Sequence, residues 1–104
     1  MNLQKDIIIR SKKIRESAKG EDCQIRVEGC NNNSETVVFC HLGGAGIGAK
    51  SSDLFGAYGC STCHGKADGQ IPSHWSATVL GLYFYQAVIR TQQILVNKGL
   101  IKRG

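Results

Sequence analysis

Four cysteines in two pairs are the residues of this sequence whose spacing is most informative. Cys60 and Cys63 form a Cys-x-x-Cys pair, and Cys23 and Cys30 form a second pair separated by six residues. Structural Zn2+ sites are tetrahedral and take four thiolates, and a Cys-x-x-Cys pair brings two of them to one ion from a single turn. The sequence therefore predicts a structural zinc site at these four residues.

Other interpretations of the cysteines have to be weighed against zinc. Cys60-Ser-Thr-Cys63-His64 also spells the attachment motif of c-type haem. Such a protein needs export and a second axial ligand, whereas this sequence shows no secretory signal and its single methionine is Met1, so we expect no haem. Buried free thiols or a redox-active pair remain the alternatives to zinc. Cys40 is the odd cysteine, and we expect it to be a small buried apolar residue.

Two histidines lie next to the cysteine motifs. His41 ends a predicted strand and His64 begins a predicted helix, so both imidazoles are expected to reach one cleft beside the zinc site. His64 and Asp68 are four residues apart and therefore share one face of a helix. This spacing suits a hard divalent ion such as Mg2+ or Mn2+. The alternative is an exposed histidine followed by an aspartate at the helix end.

Short elements surround these residues. Alternation and β-branched residues predict strands, turn-rich residues predict the loops between them, and the second cysteine pair is expected to open a helix. A glycine-rich loop separates two of the strands. The predicted strands are residues 23–27, 36–42 and 54–58, the glycine-rich loop is 43–48, and the short helix is 60–66.

The last third of the chain has the periodicity of a long core helix, predicted over residues 76–97 and stopped by Gly99. Residues 1–19 read as a basic arm or a short helix ending at Gly20, appended to a domain of residues 20–104. The apolar stripe predicted for the long helix comprises Trp75, Val79, Leu80, Tyr83, Phe84, Ala87, Val88 and Leu95.

Composition and charge limit the class of protein. A chain of 104 residues with 41% hydrophobic content forms one small globular domain, for which a metal ion adds stability that the core lacks. Thirteen Lys and Arg against eight Asp and Glu give a net charge of +5, which suits a polyanionic partner. No apolar run reaches the roughly 18 residues of a membrane span. The cysteines are odd in number and clustered as for metal binding, which predicts a cytoplasmic protein because disulfides are rare in the cytoplasm.

The order of these motifs resembles the HNH endonucleases with a ββα-metal core, and among them the small phage and prophage nucleases of the YbcO family. The resemblance covers about residues 14–103. It is carried by Cys-x6-Cys, Cys40-His41-Leu42-Gly43-Gly44, Lys50-Ser-Ser-Asp53 and Cys60-x-x-Cys63-His64, with Gly20-Glu-Asp-Cys23-Gln-Ile-Arg26, Arg90-Thr-Gln92 and Gly99-Leu-Ile-Lys102 outside the motif.

The resemblance implies roles for individual residues. His41 matches the first histidine of the HNH pattern and would be the general base, a role that suits imidazole because its ordinary pKa is near neutrality. His64 would hold the catalytic Mg2+ or Mn2+ with Asp68, and Asp53, near the place of the central asparagine, is a further candidate ligand. The family often has an acidic residue or histidine before the base, where this chain has the soft thiol of Cys40.

The sequence therefore predicts an α+β fold, a small zinc-stapled HNH-like core with a long C-terminal helix. The expected function is metal-dependent hydrolysis of DNA by an endonuclease of phage or prophage origin. The alternatives are a non-catalytic zinc-stabilised DNA-binding module and a thiol redox protein. The long helix would also suit a homodimer, and His74 reads as a surface residue. The cations expected nearest the DNA backbone are Arg26, Lys50, Lys66 and Arg90.

Overall fold

A two-stranded hairpin and three helices make up the fold in this computed structural model, which describes residues 9–41 and 52–102. The strands are antiparallel, with Val38 opposite Gly59 and His41 opposite Gly56. This is the small α+β fold with a long C-terminal helix that the sequence predicts. The elements are α1 (Lys12–Glu16), a 3-10 turn (Ser34–Thr36), β1 (Val38–His41), β2 (Gly56–Gly59), α2 (Ser61–Ala67) and α3 (Ala77–Asn97).

Strand β2 lies between β1 and α3, and all four of its residues are buried. Three of them are Gly or Ala, so the helix can approach the sheet closely. The backbone N–H of Tyr58 donates to the Thr91 hydroxyl at 3.1 Å, and its carbonyl accepts from the N–H of Gln24 at 2.8 Å. These bonds provide partners for the N–H and the carbonyl of Tyr58, which a sheet of only two strands would leave unpaired on this buried edge.

Helix α3 confirms the predicted long helix to within one residue. The side chain of Ser76 caps its first turn by accepting from the N–H of Val79 at 3.2 Å. Gly99, with φ of +78°, ends it. None of the helices in the described ranges is long and apolar enough to cross a membrane. The buried face comprises Phe84, Ala87, Val88, Thr91 and Leu95.

The predicted apolar stripe of this helix is wrong at one position. Val79 is 38% exposed rather than buried. At 3.6 residues per turn, Val79 lies about 140° around the helix from Phe84, which is buried. The sequence therefore predicts a wider apolar stripe than the face of α3 that packs against β2.

The N-terminal segment packs into the core instead of standing apart as an appendage. Helix α1 is capped by the Ser11 side chain, which accepts from the N–H of Ile14 at 3.2 Å. Ile14 and Ala18 are both buried in the main core cluster. The helix ends at Glu16, four residues before the end predicted at Gly20, and Gly20 has a φ of +78°. The division of the chain into residues 1–19 and 20–104 remains a prediction.

The predicted strand over residues 23–27 is wrong, because these residues form a loop. Arg26 adopts a left-handed conformation with φ of +60°, which breaks the extended backbone. The turn brings backbone N–H groups toward the sulfur of Cys23. Formation of the cysteine cluster therefore outweighs the strand preference of the alternating side chains.

The other short elements are present with shifted ends. The predicted strand 36–42 begins only at Val38, because the preceding residues form the 3-10 turn, whose N-terminus Asn33 caps. Strand β2 begins two residues after the start of the predicted strand 54–58, and α2 begins one residue after the start of the predicted helix 60–66. Leu42 and the glycine-rich loop 43–48 lie outside the described residues.

Substitution of one glycine in β2 and one in α3 tests how tightly β2 is packed. A Cβ built on Gly56 would lie 2.3 Å from the Phe39 ring, whereas one built on Gly81 of α3 would meet nothing within 4 Å. We expect Gly56→Ala to lower the free energy of unfolding by about 1–3 kcal/mol through overpacking. Gly81→Ala should raise it by about 0.5–1 kcal/mol, because alanine favours the helix. Urea denaturation measures both, and shifts in the same direction would contradict this account of the packing.

Candidate metal centre and active-site cleft

The sulfur atoms of Cys23, Cys30, Cys60 and Cys63 all lie within 4.8 Å of one another. The Cys30 and Cys60 sulfurs are 3.8 Å apart. A tetrahedral zinc ion with Zn–S bonds of about 2.3 Å holds its sulfurs about 3.8 Å apart. All five cysteines of the chain are free, and three of these four are buried. The sulfur geometry therefore fits one metal ion such as zinc.

The local backbone is arranged for sulfur ligands. Cys60 is the N-cap of α2, and its sulfur accepts from the N–H of Cys63 at 3.4 Å. The turn at Arg26 directs backbone groups at Cys23, and Asn32, with φ of +52°, does the same for Cys30. Backbone N–H donors favour the thiolate over the thiol, which is the form that binds metal.

The thiols of Cys23 and Cys63 shift each other's pKa. The neighbouring Cys63 thiol lowers the pKa of Cys23 against the opposing effect of burial, and Cys23 together with burial raises the pKa of the Cys63 thiol and so favours its protonated form. Metal binding replaces such protons. Cys40 lies outside the cluster, and burial raises its pKa to about 12. Cys40 is therefore buried, as the sequence predicts.

His41 is held by a buried carboxylate. Its Nε2 atom lies 2.6 Å from Oδ1 of Asp53, a residue with no exposed surface. An ionised carboxylate only accepts hydrogen bonds, so Nε2 carries hydrogen and the neutral ring keeps its lone pair on Nδ1. One third of the His41 side chain is exposed. The arrangement leaves His41 oriented and able to accept a proton.

Two groups from the N-terminal segment hold Asp53 in turn. Its Oδ2 atom accepts from the backbone N–H of Ser11 at 2.6 Å and from Nη1 of Arg15 at 2.7 Å. Burial raises the pKa of Asp53, but the bonds from Ser11 and His41 and the charge of Arg15 outweigh it, so the pKa lies below its ordinary value of 3.8. Asp53 is therefore ionised at neutral pH. The role of metal ligand predicted for it remains a prediction, and these contacts favour an orienting role.

His41 and His64 line one cleft of about 460 Å³. Nε2 of His64 is 3.9 Å from Oδ2 of Asp68, the residue that follows α2, and both side chains are about half exposed. An imidazole nitrogen and a carboxylate oxygen at this separation have room to bind one ion between them. The structure thus brings together the two histidines and the aspartate that the sequence predicted to meet.

Comparisons with known proteins place the chain in a family. The profile of the family described as "Putative nuclease YbcO" matches residues 12–100. This chain belongs to the YbcO family. A relative named "Putative nuclease ybcO", from Enterobacteria phage 82, is 36% identical over 94 residues and is aligned over 86% of this chain and 96% of its own length.

A solved structure of this fold agrees with that assignment. The protein is described as "a putative bacteriophage protein from Escherichia coli str. K-12 substr. MG1655", with a TM-score of 0.72 and 33% sequence identity. The match covers 84% of this chain and all of the other. The resemblance to the YbcO family seen in the sequence is thereby confirmed, while its HNH subtype remains a prediction.

Three of the four cations predicted to contact DNA have partners within this YbcO-family chain. Arg26 donates to the side chain of Gln24 at 3.1 Å, and Arg90 donates to the Gln24 carbonyl. The buried Nε of Arg90 has no hydrogen-bond partner among residues 9–41 and 52–102. Lys66 lines the cleft, although its Nζ donates to the Glu28 carbonyl at 2.6 Å. Lys50 lies outside the described residues, and DNA contact by these cations remains a prediction.

No motif or spacing in the sequence indicates that Ser11 and Arg15 support the site. Arg15 is one of six cations in the first nineteen residues, and its partner Asp53 is 38 positions away. The periodicity of α3 predicts a core face only, whereas the first half of this helix also lines the cleft. His74 is exposed, as predicted, and contributes to a separate depression beside Lys66.

Metal analysis tests the sulfur cluster. We expect the purified protein to hold one zinc per chain, and the double variant Cys60→Ser/Cys63→Ser to lose it together with much of its thermal stability, since metal binding and folding are coupled. Native mass spectrometry and thermal unfolding measure both. Cys40→Ala is the control and should keep the metal. Protein isolated without metal, or a double variant that retains it, would refute the site.

Stability against pH tests the Asp53 network. Because charged hydrogen bonds contribute about 1.5–3 kcal/mol, Asp53→Asn should lower the free energy of unfolding at pH 7 by about 2–3 kcal/mol. The folded-state pKa of Asp53 is lowered, so its contribution is full above the ordinary pKa of 3.8 and is lost as the pH falls through the folded value. The difference between wild type and variant should therefore narrow below about pH 4.

The matched control for this experiment is Asp68→Asn. Asp68 is about half exposed and its carboxylate is 3.9 Å from the His64 nitrogen, so its removal should change stability by less than about 0.5 kcal/mol. Urea titrations between pH 7 and 3 provide the comparison. A stability difference for Asp53→Asn that is constant over this range would show that its charge is not what matters.

Proposed function

We propose that this chain is a metal-dependent endonuclease, of phage or prophage origin, that hydrolyses DNA phosphodiester bonds. One observation carries the proposal: a histidine oriented by a buried, ionised aspartate opens on the same cleft as a second histidine and its carboxylate partner. Membership of a family described as a nuclease supports it.

His41 is the general base in this proposal. Asp53 fixes the proton on Nε2, so Nδ1 takes the proton of a water molecule while the oxygen of that water attacks phosphorus. The charge of Asp53 then stabilises the imidazolium that forms. Arg15 and Ser11 keep the carboxylate ionised and in place, so they act on the reaction only through Asp53 and His41.

His64 and Asp68 are the proposed ligands of the catalytic ion. An Mg2+ or Mn2+ bound there would polarise the scissile phosphate and stabilise the leaving 3′ oxygen. The sulfur cluster positions His64 within α2, because Cys63 immediately precedes His64 and is itself buried. In this proposal the structural zinc positions the catalytic side chains and takes no part in the reaction.

A cleavage assay tests this function. With Mg2+ or Mn2+, the wild type should cut at least one of two substrates, supercoiled plasmid or circular single-stranded DNA. His41→Ala should be slower by about 100-fold or more, since a general base contributes about 10²–10⁴-fold. His64→Ala should also lose activity, with part of it restored at higher metal concentration. Gel analysis of initial rates gives the comparison.

The third histidine supplies the matched control. His74 is exposed and does not line the cleft of His41 and His64, so His74→Ala should cleave at the wild-type rate. A wild type that cuts neither substrate with either ion, yet retards DNA in a gel, would favour the non-catalytic DNA-binding module. Reversible formation of a disulfide by the cluster cysteines, in place of metal, would favour the redox protein.

A further inference from the structure

The two walls of the cleft differ in chemical character. One wall carries ionisable side chains from β1 and from α2 and its end. The other wall comes from the first half of α3, and no residue between positions 77 and 89 is charged. The ionisable wall comprises His41, His64, Lys66 and Asp68, and the α3 wall comprises Ala77, Leu80, Gly81, Phe84 and Tyr85.

An uncharged wall is a poor surface for duplex DNA. A duplex presents the phosphates of two strands, and proteins that enclose it neutralise those phosphates with Lys or Arg. The first charged residue of α3 is Arg90, whose guanidinium is engaged with the Gln24 carbonyl away from the cleft. The α3 wall therefore has no cation to offer a second strand, whereas an apolar surface suits the face of a base.

Tyr85 gives that wall an exposed aromatic ring. The residue is 53% exposed although it lines the cleft. Gly81 lies four residues earlier on the same helix face, and a Cβ at that position would meet no atom within 4 Å. A ring beside an open glycine surface is the kind of platform on which proteins stack the bases of single-stranded nucleic acids.

We propose that the cleft accepts an unpaired nucleotide, with its base stacked on Tyr85 over Gly81 and its phosphate facing His41 and His64. The substrate class is then single-stranded DNA, including the unpaired segments of branched DNA. This inference rests on the proposed nuclease function, since it assigns the substrate of the same cleft. The cleft volume of about 460 Å³ is in the range of sites that enclose one small ligand.

Binding without cleavage tests the proposal. In a His41→Ala background, a fluorescent oligothymidylate should bind more tightly than a hairpin duplex of equal length. Adding Tyr85→Ala should weaken binding of the single strand by about 5- to 150-fold, the range for loss of one base–aromatic stack. Tyr85→Phe should keep most of the affinity, because it retains the ring. Fluorescence anisotropy measures each constant.

Leu82→Ala is the matched control. Leu82 is 55% exposed on the same helix but does not line the cleft, so its removal should leave binding unchanged. Equal binding by the Tyr85→Ala variant, tighter binding of the duplex, or an equal effect of Leu82→Ala would overturn the proposal. A Leu82 effect accompanied by a change in oligomeric state would instead assign this helix face to a second copy of the chain.

The two proposals fail in different ways. A wild type that cuts duplex DNA while binding is indifferent to Tyr85 refutes the stacking proposal and leaves the nuclease proposal intact. A wild type that cuts no DNA while binding depends on Tyr85 refutes the nuclease proposal alone.

Discussion

The sulfur atoms of Cys23, Cys30, Cys60 and Cys63 lie within 4.8 Å of one another and so bring together two separate parts of the chain. The loop that carries Cys23 and Cys30 has no regular secondary structure, and α2 is only two turns long. A chain of this size buries about 60–68% of its unfolded surface, which leaves a small core to support such segments. Because Cys60 caps α2 and Cys63 precedes His64, the cluster also sets the direction of the helix that carries a cleft histidine.

A buried charge imposes the second constraint. The fully buried carboxylate of Asp53 is stabilised only because it is paired with Arg15, with His41 and with a backbone N–H. These partners come from the N-terminal segment and from β1, so one side chain connects three parts of the chain. The geometry at His41 consequently depends on a helix that lies outside the HNH-like motif of the sequence.

Sequence patterns predicted what depends on local spacing. The cysteine pairs, the period of α3 and the step from His64 to Asp68 can be recognised without knowing the fold, and the structure has these features. Contacts between distant residues could not be predicted in this way. Arg15 resembles the cations around it, and only folding brings it to Asp53. The strand predicted over residues 23–27 is wrong. The alternating side chains favour a strand, whereas the left-handed turn at Arg26 forms the loop that carries Cys23 into the sulfur cluster.

The pairing of the N-terminal segment with Asp53 has a consequence for synthesis of the protein. The N–H of Asp53 donates to the carbonyl of Ile9, and Ser11 and Asp53 are separated by 42 positions. At translation rates of about 5–20 residues per second, Ser11 is synthesised about 2–8 s before Asp53. Helix α3, which covers β2 and forms one wall of the cleft, is made after both partners. The cleft therefore stays incomplete during synthesis until translation has passed the end of α3 at Asn97.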